Sequence, residues 1–172
     1  ASMIQKKISD DVFRIYISND IYGVTYGGIL KNIYAIGAGL CDGLGLGDNA
    51  KAAYVTRALN EIISIGKIFG AEKDTFYGLS GFGDFIATCN GDWSRNRTFG
   101  ESIGKGLKPK NILENQKTVV EGYVSVESLY RIVRSKSLDT PILDELYQIL
   151  YREKSTNLAL NELMKRDLKT EF

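Results

Sequence analysis

The chain has 172 residues, 22 basic and 21 acidic, for a net charge of +1. That length suits one domain burying about 70% of its unfolded surface, and the even charge balance gives no sign of a nucleic-acid or membrane-surface partner. Histidine is absent, which excludes Ser-His-Asp and Cys-His catalysis and every His-ligated metal site.

Ala1, Ser2 and Met3 read as an appended leader left by cloning. No stretch reads as a signal peptide. Phe13-Arg14-Ile15-Tyr16-Ile17 alternates apolar and polar residues, which predicts a short strand. A lone strand has no sheet to join here, so it is expected to belong with something that precedes the chain. Asn19-Asp20 then leads into the stretch Gly23–Leu40, which predicts a helix that is apolar almost all round, with Lys31 at its middle. Residues three and four apart share a helix face. The face through Lys31 carries Val24, Gly27, Gly28, Ala35, Ala38 and Gly39, all but Val24 glycine or alanine. Glycine inside a helix costs roughly 0.5–1 kcal/mol relative to alanine. Two readings follow: the small residues serve helix packing while Lys31 snorkels to solvent, or they leave a groove beside its ammonium. Asn32 adds a polar group one position on.

Gly43–Asp48 reads as a loop between helices. Its spacing is GxGxG after a helix, not GxGxxG after a strand, which argues against a dinucleotide fingerprint. Asp48 or Asn49 is the expected cap of the next helix, which runs to about Phe69 on the apolar stripe Ala52, Val55, Leu59, Ile62, Ile63, Phe69. Gly78–Gly83 reads as a glycine-rich turn opening a short helix, Asp84 to Cys89, with Asp84 and Thr88 one turn apart. Gly91–Arg97 reads as a turn entering another helix, with Ser94 at its N-cap. Helices are then predicted over 111–116, 122–135, 141–151 and 155–165, with Thr140 capping ahead of Pro141 and Ser155 capping the last. Seventeen of the 18 glycines lie between Gly23 and Gly106, so the C-terminal helices read as scaffold. Cys41 and Cys89 are too few for a disulfide framework or a zinc site and read as buried thiols of a cytoplasmic protein.

Three polar clusters stand out: Lys31-Asn32, Asp84 with Thr88, and Ser94-Arg95-Asn96-Arg97. The last has the make-up of an anion site, since a helix start presents free N–H groups and arginine adds a planar fork. Solvated arginines, and an Asp84 that merely caps its helix, are the alternatives.

Together these strings resemble a known family. GGILKNIYAIGAGLCDGLGLGDNAKAAYVTRAL, GLSGFGDFIATC, SRNRTFG, KTVVEGY and LDTPILDELYQILY follow the order of the bacterial-type NAD(P)-dependent glycerol-3-phosphate dehydrogenases, from about Val12 onward. The resemblance implies an all-α, compact multi-helix domain, like the C-terminal domain of glycerol-3-phosphate and 6-phosphogluconate dehydrogenases. It would span residues 21–172, with 1–20 a leader plus a residual strand and linker. It implies interconversion of dihydroxyacetone phosphate and glycerol 3-phosphate by hydride transfer, in the cytoplasm, for glycerophospholipid synthesis. It makes Lys31 the catalytic proton donor and acceptor. It places Lys31, Asp84, Ser94, Arg95 and Asn96 in the substrate site with Asn32 and Thr88 close by, and Arg95, Val119 and Glu121 toward the nucleotide. It implies no metal and is compatible with a homodimer. The family's N-terminal Rossmann domain is missing from this sequence, so the chain is expected to be a separated half, inactive alone, with the choice of NAD or NADP made in the other half. Thr25 stands where relatives often carry an acidic residue. A non-catalytic binding or dimerisation module, and a dehydrogenase for another hydroxyacid, are the rival readings.

Overall fold

In the computed structural model, residues 1–115 and 118–167 are described. They form nine α-helices and no strand. Gln116, placed at a predicted helix end, and Lys117 lie outside the described residues. The helices are α1 (Ser2–Ile8), α2 (Ile21–Gly43), α3 (Asp48–Ile68), α4 (Asp84–Asn90), α5 (Arg95–Gly104), α6 (Pro109–Asn115), α7 (Glu121–Ser135), α8 (Pro141–Arg152) and α9 (Thr156–Met164).

The fold is built around α2. It touches α3, α4, α5, α7 and α8, and Leu30, Ile33, Tyr34, Ala35, Ile36 and Ala38 are fully enclosed. Its start is fixed by Asp20, whose carboxylate accepts from the Gly23 amide at 2.7 Å and the Glu72 amide at 2.9 Å. The Gly23 amide, with help from the Thr75 hydroxyl, holds that carboxyl below its usual range.

The glycines of α2 are used for packing at both ends. A Cβ on Gly27 would stand 2.5 Å from the Ser80 carbonyl oxygen, and one on Gly39 would strike the Arg97 carbonyl. From the other side, a Cβ on Gly100 would strike the Ile36 carbonyl. So α2 and α5 cross backbone against backbone, which brings the start of α5 beside the middle of α2. Gly28 alone on the Lys31 face has open space in front of it. The stripe is therefore divided: Gly27 and Gly39 serve helix packing, and Gly28 leaves space beside Lys31, which does not snorkel to solvent but pairs with Asp84.

A buried carboxylate ties the scaffold together. Glu61 of α3 accepts from the Tyr34 hydroxyl at 2.9 Å and from the Ile142 and Leu143 amides at 2.7 and 3.1 Å. It thereby caps the start of α8, where Thr140 makes no side-chain cap bond. Tyr130 and Tyr147 stack at 3.9 Å to join α7 to α8. Cys41 and Cys89 are free and buried, and burial pushes their thiols up to about 11 and about 12.

The structure corrects two local expectations. Residues 13–17 are not a strand: with no neighbouring strand, Ile15 N–H donates to Ser9 Oγ and the Ile15 carbonyl accepts from Gln5 of α1. The N-cap of α3 is Gly47, not Asp48 or Asn49, because the turn needs φ +81° there, which glycine adopts without strain. Gly78–Gly83 opens α4 as expected, with Leu79–Gly83 coiled as one π-helical turn. The caps at Ser94 and Ser155 are as predicted.

Candidate functional site

The open space before Gly28 is the floor of a cleft of about 430 Å³, lined by Gly28, Lys31, Asn32, Thr88, Trp93, Ser94, Arg95, Asn96 and Glu121. Four elements supply it: α2, α4, the start of α5 with the turn before it, and the start of α7.

Lys31 reaches Asp84 of α4, Nζ to Oδ2 2.5 Å, with 18% of the lysine side chain exposed. Asp84 is therefore a partner for Lys31 rather than a cap. Thr88, one turn on, donates its hydroxyl to the Asp84 carbonyl at 2.6 Å. An ammonium has three donors. With one spent on Asp84, two remain to point at a ligand oxygen.

The opposite wall is a hydrogen-bonded chain of side chains. Asn96 is buried, donates to Asn32 Oδ1 at 3.0 Å and accepts from the Gly122 amide at 2.9 Å. This locks α5, α2 and α7 together and fixes which way the Asn32 amide faces. Asn32 Nδ2 in turn donates to Glu121 at 3.1 Å. Ser94 caps α5 by accepting from the Arg97 amide at 3.3 Å. Arg95 is half exposed at the mouth, 3.8 Å from Glu121, a separation at which an exposed pair contributes little. Its fork is thus free to take a better anion.

The sequence-predicted residues Lys31, Asn32, Thr88, Ser94, Arg95, Asn96 and Glu121 come together here, and Asp84 joins through Lys31. Val119 is 64% exposed and not part of the lining. Arg97 is not part of it either: its guanidinium turns to Asp42, Asp92 and Glu101. Trp93, absent from the sequence reading, stands in the wall. As the only tryptophan, set between a glycine-rich turn and a helix cap, it was the available signal. No group of His, Cys, Asp and Glu able to hold a metal occurs among the described residues.

An ammonium held by a carboxylate thus shares one cleft with a helix start and an arginine, on an all-helical domain. The comparisons make this specific. The chain belongs to the family described as the NAD-dependent glycerol-3-phosphate dehydrogenase C-terminus, matched over residues 20–161. It is 44% identical over 171 residues to a glycerol-3-phosphate dehydrogenase [NAD(P)+] of Geobacter sulfurreducens, covering 99% of this chain and 51% of that one. A protein of the same name from a Thermotoga species is 46% identical over 169 residues, covering 98% and 53%. In fold it is similar to the glycerol-3-phosphate dehydrogenase of Coxiella burnetii, with TM-score 0.89 and 33% identity over 96% of this chain and 51% of that one. The yeast enzyme matches with TM-score 0.83 and 26% identity over 96% and 48%. The chain thus spans about half the length of the curated relatives it matches.

Proposed function

We propose that this chain is the substrate-binding half of an NAD(P)-dependent glycerol-3-phosphate dehydrogenase, interconverting dihydroxyacetone phosphate and glycerol 3-phosphate. The observation that carries the reading is the Lys31–Asp84 pair standing in one cleft with Ser94, Arg95 and Asn96. Arg95 and the N-terminal turn of α5 would grip the phosphate, charge against fork and helix dipole. Holding that end fixes the distance from the phosphate to the reacting carbon, so binding energy becomes orientation. Asn32 and Thr88 would bound the carbon chain. Asp84 holds Lys31 Nζ at the cleft wall. When ketone becomes alcohol, the proton on the new C2 hydroxyl comes from Nζ; in the reverse direction Nζ takes it back.

The nicotinamide cofactor supplies the hydride. Arg95, Glu121 and the exposed Val119 would meet one edge of it at the cleft mouth. Most of the nucleotide would be held by an N-terminal Rossmann domain of the kind the resemblance implies, with residues 1–20 as leader and linker toward it. A cytoplasmic reaction feeding glycerophospholipid synthesis, by a homodimer, completes the proposal.

The test is phosphate discrimination, in the chain joined to an N-terminal half. A charge-assisted hydrogen bond contributes roughly 1.5–3 kcal/mol. Arg95→Ala should therefore lower kcat/KM for glycerol 3-phosphate by about 10- to 150-fold. Unphosphorylated glycerol should suffer far less. Equal losses for both would remove Arg95 from the phosphate site.

A further inference from the structure

Arg97 is the member of the Ser94–Arg97 turn that the cleft leaves unused. Only 12% of its side chain is exposed. Nε donates to the Gly91 carbonyl at 3.2 Å, Nη1 to Asp42 at 2.8 Å and to Glu101 at 3.3 Å, and Nη2 to Asp92 at 2.8 Å. Asp42 also receives Lys51 of α3 at 2.9 Å, and Glu101 receives Lys105 at 2.5 Å. Three cations thus stand against three carboxylates, so the cluster has no charge to lend a ligand.

What the cluster does have is reach. It ties the carbonyl of Gly91 and the side chain of Asp92 to the C-terminal end of α2. The residues that follow, Trp93, Ser94, Arg95 and Asn96, are consecutive members of the cleft wall. The turn is closed by the Ser94 amide on the Gly91 carbonyl at 3.0 Å and ends on the buried Ser94, but its tip has little packing of its own. The Asp92 side chain is 99% exposed and Trp93 is 68% exposed. The indole lies back over Gly91, where an added Cβ would come within 2.5 Å of it.

We propose that Arg97 is a positioning residue: it clamps the Gly91–Ser94 turn onto the end of α2, and so sets Trp93, Ser94 and Arg95 in the register that grips a phosphate dianion. This rests on the reading of the cleft as a phosphate site. The planar fork is essential, because four acceptors around one guanidinium cannot be matched by the point charge of lysine.

The experiment uses the 172-residue chain and its one tryptophan, Trp93. Time-resolved Trp93 anisotropy reads the order of the turn, titration with glycerol 3-phosphate reads the cleft, and a thermal melt reads the fold. Arg97→Lys should still melt cooperatively. Its Trp93 anisotropy should lose slow-decaying amplitude, and its Kd for glycerol 3-phosphate should rise about 5- to 30-fold. Asp92→Asn touches only an exposed end of the clamp and keeps the fold if Arg97→Lys does not. It should show the same two changes, smaller. Combining Asp92→Asn with Arg97→Lys should add little, as expected for partners in one interaction. A turn as ordered in both variants as in the parent overturns the clamp. A loosened turn with unchanged Kd overturns its role in positioning. If the parent chain binds no glycerol 3-phosphate, or Arg95→Ala does not weaken binding, the phosphate reading fails, and positioning for phosphate fails with it.

Discussion

Replacing Glu61 by glutamine should remove a pH dependence from the stability of this fold. The Glu61 carboxyl is pushed up to about 7 from an ordinary 4.5, first by desolvation and secondarily by the charge of Asp144. The amides of Ile142 and Leu143 and the Tyr34 hydroxyl pull the other way without cancelling it. A carboxyl raised on folding binds its proton more tightly in the folded than in the unfolded chain. Its contribution is therefore complete below about pH 4.5 and is lost as pH rises through about 7. The rise of about 2.5 units, at about 1.4 kcal/mol per unit, makes a loss of about 3 kcal/mol. Glutamine resembles the protonated form: one acceptor, one donor group, no charge. Urea unfolding at pH 5 and pH 8 measures the effect. The parent should lose a few kcal/mol between the two relative to Glu61→Gln, whose own stability is offset downward at both pH values because its amide nitrogen cannot accept from the Ile142 or Leu143 amide it faces. Taking the difference removes most of the contribution of Asp20 and other carboxyls. Identical pH slopes in the two proteins would refute the reasoning, since Glu61 would then be no costlier to ionise folded than unfolded.

Other outcomes follow from the same geometry. Gly100→Ala puts a Cβ against the Ile36 carbonyl, so α2 and α5 must separate; overpacking of this kind costs about 1–3 kcal/mol, readable as a lower melting temperature. Gly28→Ala, with nothing within 4 Å of the added Cβ, should fold normally. The 172-residue chain by itself should show helical circular dichroism, no NADH-dependent turnover and no micromolar NADH binding, because Arg95, Val119 and Glu121 offer one edge of a nucleotide site.

The long helices and most of the cleft were legible because their signals are local. Small residues one turn apart framed Lys31, Ser94 is a cap readable from its neighbours, and Pro141 announces the start of α8. The resemblance then joined Lys31, Asp84 and Arg95 across sequence gaps that periodicity cannot bridge. What escaped is what depends on distant partners. Glu61 looks like one more helix-surface glutamate until α8 arrives 81 residues later to be capped. Arg97 looks like Arg95 until Asp42, 55 residues away, joins Asp92 and Glu101 in turning its guanidinium away from the cleft. Residues 13–17 carry a strand's alternation, but pairing is a property of two segments, and Ser9 and Gln5 satisfy this backbone instead.

The most direct measurement is turnover by Lys31→Met in the chain completed by an N-terminal half. Methionine fills similar space without a transferable proton, so folding and glycerol 3-phosphate binding should survive within several-fold. If Lys31 Nζ carries the proton, kcat should fall by roughly 100- to 10,000-fold. Near-parental turnover at neutral pH, with substrate bound normally, would contradict it and leave the Lys31–Asp84 pair a structural contact.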